Sequence, residues 1–362
     1  MMASADIAVI GSGAAGLAAA VNAARTGRTT LLLDQRSAAG GTGGFSGLTT
    51  LCGLFDDKGA FLNDGFAREF TEAVAETPPV QMGKVWVQPY RPDKFRQVAA
   101  QLLGSVPNLQ TRWNTPLQNV VLDDQRIVSL NGIKVGAVVD CSGSAEVARL
   151  TGAECLATDE TTQASAIVFP LTNVTRVMNT PAEAAQVLLP LARAGLPPLN
   201  FQPNVEPNTV TVKFTGRVEQ VPYVIELLRT QVAGFEHCAT PLTSFTPAPR
   251  AGRMIIGQYV LTGADVLAGR KFPDAVARCA WPIEQWSADG VARFRFLPPG
   301  TYYEIPSRSL RAASIENLFM AGKTLSADVD AIASARVMGC CLATGAAAGV
   351  LAARYLESHA IR

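Results

Sequence analysis

A chain of 362 residues, 48% hydrophobic and 17% charged, is long enough for a compact fold of two lobes. Its net charge of +1, without any basic run, gives no reason to expect a nucleic-acid or strongly acidic partner. Every apolar stretch is broken by Gly, Thr or charge before it could span a bilayer, and no charged-then-apolar leader opens the chain, so the expectation is no membrane span, no secretion signal and a cytoplasmic location.

The first elements are the most informative. An apolar run, Ile7–Ile10, leads into Gly11-Ser12-Gly13-Ala14-Ala15-Gly16 and an alanine-rich segment, Leu17–Ala24. A second apolar run, Thr29–Leu33, ends in Asp34. The order is strand, tight turn, helix, strand, acid. Gly11 permits the sharp turn, Gly13 lets backbone approach a pyrophosphate, and Gly16 lets the helix pack close to the sheet. A helix N-terminus offers unpaired N–H groups and partial positive charge to phosphates. Asp34 stands where a carboxylate can accept hydrogen bonds from a ribose diol. The flanking strands and the acid give the GxGxxG pattern the context it needs.

Residues 37–54 are glycine-dense, with Gly40-Gly41-Thr42-Gly43-Gly44 at their centre, and read as a loop suited to close approach to a ligand. Helices are expected over 60–76 and 92–104, the second opened by Pro92 and stopped by Gly104. Short strands follow at Leu109–Thr111, Leu117–Leu122, Arg126–Leu130 and Gly136–Asp140, with turn signals at Asp123-Asp124 and Asn131-Gly132. The last strand ends in Asp140-Cys141-Ser142-Gly143 and a helix over 145–150, a second strand, small-residue turn and helix.

From 152 to about 300 the texture changes. Alternating runs at Ser165–Phe169 and Val210–Phe214 predict strands, and Leu188–Ala194 and Val221–Val232 predict helices. Prolines punctuate the connections. This reads as a mixed, mostly antiparallel sheet inserted into the nucleotide-binding part. The chain returns with a buried strand at Ile315–Gly322 and a small-residue helix over about 333–355. The expected division is 1–155 with 301–362 for the cofactor and 156–300 for a substrate cap.

Seven cysteines, none in a CxxC pair, and only two histidines make a metal site improbable and favour reduced, mostly buried thiols.

Together these segments resemble the FAD-dependent oxidoreductases of the two-domain, glutathione-reductase-like group. The likeness rests on Gly11–Gly16 with Asp34; Gly41–Gly47; Asp140–Gly143 with Gly152-Ala153; Gly252-Arg253 with Gly257–Leu261 and Asp265; and Tyr302–Gly349, which includes Asn317–Lys323, Ala335–Met338 and Ala343-Thr344-Gly345. The resemblance implies an α/β fold: a Rossmann-like FAD-binding domain of the GR2 type with an inserted β-sheet domain. It implies that Gly11, Gly13, Ala14, Ala15 and Gly16 hold the pyrophosphate and Asp34 and Gln35 the adenosine ribose. Gly41, Thr42 and Gly43 would approach the cofactor, and Leu117 would touch adenine. Cys141, Ser142 and Gly143 would line the pyrophosphate, and Gly322 and the segment through Asp328 the ribityl chain. Arg336 and Val337 would place a helix N-terminus at the flavin pyrimidine edge, where it favours negative charge on reduced flavin. The chain departs from the family where histidines are common: Cys279–Trp286 and Ser326–Asp330 have none.

The proton-handling candidates are Tyr302, Arg253 and Lys323, with Tyr303, Glu284 and Cys52 behind them. Arg253 could clamp a carboxylate bidentately. The leading expectation is hydride transfer between a small organic substrate and non-covalently bound FAD, of dehydrogenase or oxidase type. A flavin monooxygenase and a flavoprotein sensor without turnover stay open. The electron acceptor is not encoded in any motif, and the sequence is compatible with a homo-oligomer.

Overall fold

The computed structural model describes residues 4–359, except 160, 162, 177–188, 190, 191, 194, 196, 197 and 289. Its centre is a sheet in which Leu109–Arg112, Thr30–Leu33, Ser4–Ile10, Ile133–Asp140 and Leu318–Met320 run parallel in that spatial order. Apart from the edge strand Leu109–Arg112, the strands read as near-continuous apolar runs because both faces are covered, as a parallel sheet requires. The hairpin Val120–Asp123 and Arg126–Leu130 joins antiparallel at the start of Ile133–Asp140. The chain order therefore reverses between Ser4–Ile10 and Ile133–Asp140. In open α/β sheets such a switch point opens a crevice at the carboxyl ends of the strands, and ligands bind there.

Two helices cover one face and pack on each other. Ala14–Arg25 is almost wholly buried, and Met338–His359 lies along it. The backbones meet because of Gly345 and Gly349: a Cβ on Gly345 would stand 2.1 Å from the Ala15 carbonyl oxygen, and one on Gly349 2.3 Å from that of Ala19. Met338–His359 is, among the described residues, the one helix long and apolar enough to cross a membrane, and 72% of its apolar window is buried inside the protein.

The sequence-predicted elements differ in several places. The helix expected over 60–76 is shorter, Phe66–Val74, and Phe61 before it forms a β-bridge with Phe55. The glycine-dense segment contains a short helix, Gly41–Phe45, rather than a plain loop. The C-terminal helix is two, Val329–Ala335 and Met338–His359, broken at Arg336-Val337. The expected inserted sheet is several small antiparallel ones: Ala166–Leu171, Val210–Thr215 and Asn200–Gln202 together, and the ribbons Cys155–Thr158 with Gly252–Ile255 and Ile283–Trp286 with Ala292–Arg295. Tyr303–Pro306 pairs with Ala275–Cys279 across the expected boundary at 300. Of the expected helix Leu188–Ala194, residues 188, 190, 191 and 194 lie outside the described residues, and Leu189, Ala192 and Arg193 are helical.

The three-stranded sheet has two unlike faces. Ile167, Phe169, Leu171, Val212 and Phe214 turn to one side and form a core with Val221, Val224, Ile225 and Leu228 of the helix Val221–Gln231. Strand periodicity sends Ala166, Val168, Thr211, Lys213 and Thr215 to the opposite side. Of these, Ala166 and Lys213 form part of the wall of the central cleft.

Candidate functional site

A cleft of about 490 Å³ opens at the switch point. Its first group of wall residues is Gly11, Ser12, Gly13, Ala14 and Ala15 after the first strand, Asp34 and Gln35 after the second, Thr115–Leu117, and Cys141–Gly143 after the fourth sheet strand. Gly11 turns at φ +90° with the Cys141 carbonyl directly against it. Gly13 is the N-cap of the helix Ala14–Arg25; it supplies no side-chain cap, and no acid occupies the first turn. The terminal N–H groups of that helix are thus left for a ligand. A Cβ on Gly13 would meet nothing within 4 Å but the Cα of Gly41 at 3.9 Å, so this part of the cradle is bare backbone. These are the requirements of a dinucleotide pyrophosphate, and the residues present fit one.

Two carboxylates hold the cradle. Asp34, 8% exposed, accepts from the Ser12 N–H and the Ser12 hydroxyl at 2.6 Å each on one oxygen, and from the Arg36 N–H at 2.8 Å on the other. Asp140, fully buried, accepts from the Ser142 N–H, the Ser142 hydroxyl and the Val147 N–H at 3.0, 2.7 and 2.9 Å. Burial raises the Asp140 pKa and these hydrogen bonds oppose the rise.

The second group of wall residues is charged and buried. Glu284, on Ile283–Trp286, accepts from the indole N–H groups of Trp281, at 2.9 Å, and Trp286. Lys213 Nζ lies 3.6 Å from Glu284 Oε1, with both side chains nearly buried. Lys213 and Arg250 stand over the Trp286 ring, 4.6 and 4.4 Å from its centroid. Arg250 also donates to the Ala164 carbonyl at 2.6 Å. Arg336, in the break between the two C-terminal helices, donates through Nη2 to Gln163 Oε1 at 3.1 Å and to the Glu284 carbonyl at 3.2 Å. Burial works against the Glu284 carboxylate, but Lys213, Arg336 and Arg250 prevail and hold its pKa down at about 2. Lys213 is treated differently. Burial lowers its pKa, and the attraction of Glu284 does not make up the loss because Arg250 and Arg336 repel the ammonium. The carboxylate is over-compensated while the ammonium is under-compensated. Cys52 shares this wall, and burial pushes its thiol up to about 12.

Most of the expected cofactor residues meet here: Gly11, Gly13, Ala14, Ala15, Asp34, Gln35, Gly41, Thr42, Gly43, Leu117, Cys141, Ser142, Gly143, Gly322, Arg336 and Val337 all line the cleft. Gly16 does not. A Cβ there would lie 1.7 Å from the Gly11 carbonyl oxygen, so Gly16 serves the packing of turn on helix. Asp328 does not either. It caps the helix Val329–Ala335 through the Ala331 N–H at 2.7 Å and accepts from the Gly263 N–H, which consumes its oxygens in local structure.

The three proton-handling candidates separate. Lys323 lines the cleft and donates to the Pro249 and Ala251 carbonyls at 3.3 Å each. Arg253 is exposed on Gly252–Ile255, whose buried residues are Met254 and Ile255, and it is outside the cleft wall. Tyr302 is also outside it, its ring lying under the Lys271 ammonium and the Arg278 guanidinium. Tyr303 is buried and hydrogen-bonded to Ser334 at 2.8 Å. Sequence reasoning passed over Lys213, Arg250 and Gln202. Lys213 had a signal: in Val-Thr-Val-Lys-Phe-Thr it sits in phase with the threonines, opposite the apolar positions that build the core. Gln202 ends the short strand Asn200–Gln202, too short for a readable phase, and Arg250 lies in a proline-punctuated connection.

A family model described as FAD dependent oxidoreductase matches residues 6–194 and 200–361. Among solved structures, the fold is similar to a geranylgeranyl bacteriochlorophyll reductase-like protein from Thermoplasma acidophilum (TM-score 0.56, 12% identity, covering 99% of this chain and 80% of that one). It is also similar to GidA from Aquifex aeolicus (0.55, 12%, 98% and 64%) and to a flavoprotein/dehydrogenase from Cytophaga hutchinsonii (0.52, 13%, 98% and 79%). The chain thus spans just under two thirds of the length of GidA. Identities this low establish a shared fold and nothing finer. No curated protein matches the chain in sequence. The family match runs over almost the whole chain, and the bare-backbone cradle beside Asp34 accommodates the cofactor that the family uses: this protein is a member of the FAD-dependent oxidoreductase family, with FAD as its cofactor.

Proposed function

We propose that the protein transfers hydride between a small organic substrate and non-covalently held FAD, as a dehydrogenase or oxidase, from a GR2-type Rossmann domain with residues 156–300 as its substrate cap. One observation carries this reading: the cradle at Gly11–Ala15 and the buried Lys213–Glu284 pair line one and the same cleft. FAD supplies the hydride acceptor. The chain's own residues provide the rest. The helix N-terminus at Gly13 and the Ser12–Asp34 contact fix the adenosine diphosphate part. The inner face of the three-stranded sheet, through Ala166 and Lys213, roofs the cleft against water. Glu284 stays ionised at neutral pH and holds Lys213 and both indoles in place. Cys52, with its pKa raised to about 12, is a neutral thiol and a poor tether, which supports non-covalent binding. A cytoplasmic location belongs to the same proposal.

The test is an absorption spectrum of the purified protein before and after acid precipitation, followed by anaerobic mixing with a substrate panel. Bands near about 370 and 450 nm that pass into the supernatant support non-covalent flavin. Bleaching by a substrate without oxygen supports the dehydrogenase or oxidase reading. Bleaching only by a nicotinamide, with oxygen then inserted into the product, replaces it with a monooxygenase.

A further inference from the structure

We propose that the substrate of this cleft is an organic anion, a carboxylate that also carries a hydrogen-bond donor, and that Lys213, with Arg336 and Gln202, is its binding site. The inference rests on the flavoenzyme reading and adds to it the chemical class of the substrate.

Three observations converge on one stretch of wall. The first is charge. Among the described wall residues the acids are Asp34, Glu146 and Glu284. Asp34 is engaged with Ser12 and Arg36, and Glu146 accepts from Ser144 and pairs with Arg149. Glu284 alone thus faces both Lys213 and Arg336, two cations to one carboxylate, before Arg250 is considered. The second is unmet hydrogen bonding. Arg336 Nε and Gln202 Oε1 are buried atoms without a partner, and Gln202 is 7% exposed. Buried polar atoms left so are costly, and in a native protein they call for an explanation. A carboxylate takes the bond that Arg336 Nε has to give, while a hydroxyl or amine on the same molecule satisfies Gln202 Oε1. The third is placement. Gln202 pairs with Thr211 on the strand that carries Lys213, so both project from one small sheet into the cleft, while Arg336 comes to the same wall from the end of the helix Val329–Ala335.

The electrostatics agree with this geometry. Lys213 is held by Glu284 at 3.6 Å, yet burial first, and the nearby Arg250 and Arg336 after it, keep its pKa lowered. A second anion beside it restores the balance. A neutral substrate would leave the ammonium buried and poorly paired.

The experiment titrates the FAD-loaded protein with acetate, lactate and mandelate, each against its neutral amide. Binding is read twice, by perturbation of the flavin bands and by quenching of Trp281 and Trp286, which bracket Glu284. The proposal expects the hydroxycarboxylates to bind roughly tenfold or more tighter than their amides. Lys213→Met should erase that preference, Lys213→Arg should keep most of it, and Glu284→Gln should tighten carboxylate binding. Equal binding of acids and amides overturns the proposal. So does a full acid preference in Lys213→Met, or no response to any carboxylate. Should Lys213→Met fail to fold, the acid-to-amide ratio in the unaltered protein and in Glu284→Gln decides. If the protein takes up no FAD, the flavoenzyme reading falls, and the tryptophan signal still decides the anion site.

Discussion

Lys213 and Glu284 come from two different small sheets, and Lys213 Nζ lies 3.6 Å from Glu284 Oε1 inside the wall of the cofactor cleft. The contact makes the acid limb of stability a property of the site. Glu284 ionises at about 2 in the folded protein against an ordinary 4.5, so its ionised form stabilises the fold above pH 4.5, by about 3 kcal/mol. That contribution is lost as pH falls from 4.5 towards 2. Lys213 changes stability in the same direction with pH, but as a cost rather than a gain. Its lowered pKa makes the charged form a cost, relieved as pH rises through its folded value, so this pair gives no alkaline loss. Chemical denaturation across pH 2–6 should show a steep acid limb that flattens in Glu284→Gln, with Lys213, Arg250 and Arg336 left unaltered.

Gly13 and Gly16 should fail in different ways. Gly13→Val puts a branched side chain where only Gly41 stands near, in the cradle itself. The protein should fold with an unchanged Tm in the absence of cofactor and should not retain FAD. Gly16→Ala places a methyl 1.7 Å from the Gly11 carbonyl oxygen and should lose several kcal/mol of stability, about 3 or more, since backbone must move. Retained stoichiometric flavin in Gly13→Val would refute the cradle.

Asp34→Ala should cost about 1–3 kcal/mol in stability as well as in FAD affinity, because it strands the buried Ser12 N–H and hydroxyl. Asp34→Asn should recover part of the stability and little of the affinity. Thermal melts of the apo form and FAD titration by fluorescence separate the two effects.

Asp328→Ala should reduce stability by about 1 kcal/mol through loss of the helix cap at Val329–Ala335. FAD affinity should stay within twofold, roughly, of the original, because the carboxylate is spent on the Ala331 and Gly263 amides. A loss of FAD tenfold or greater would return Asp328 to the cofactor site.

Cys52→Ser should leave the full flavin content releasable by acid. Its thiol is raised to about 12 and is not a nucleophile at neutral pH. Loss of a protein-bound flavin fraction in this variant would identify Cys52 as a tether.

The parts of this fold that were legible in the sequence are those governed by local chemistry. The Gly11–Gly16 turn, the acid at Asp34 and the Asp140–Gly143 turn each announce themselves, because a tight turn needs glycine and a buried amide needs a carboxylate nearby. Arg126–Leu130 and Pro92–Gly104 fall where alternation and the proline start put them. The charged wall was legible only in part: Arg336 and Glu284 stood among the candidates, but their meeting with Lys213 and Arg250 was not legible. Lys213, Arg250, Glu284 and Arg336 stand on four segments, and no spacing rule connects residues that meet only after four folding decisions. Arg253 and Tyr302 stand outside the cleft wall for a related reason. Both border family-like segments, yet strand register turns Arg253 outward, and Tyr302 carries its ring under Lys271 instead of into the cleft.

The close fit of Gly345 and Gly349 against Ala15 and Ala19 has a consequence for how the molecule is made. Ala14–Arg25 completes its packing only against a helix far along the chain. Until Met338–His359 arrives, Ala14–Arg25 lacks its most extensive helix contact. Contacts of such long sequence separation form slowly and leave a nascent chain open to aggregation. A cofactor bound at Gly11–Ala15 therefore stabilises both helices together, since the turn that holds it opens the helix on which Met338–His359 packs.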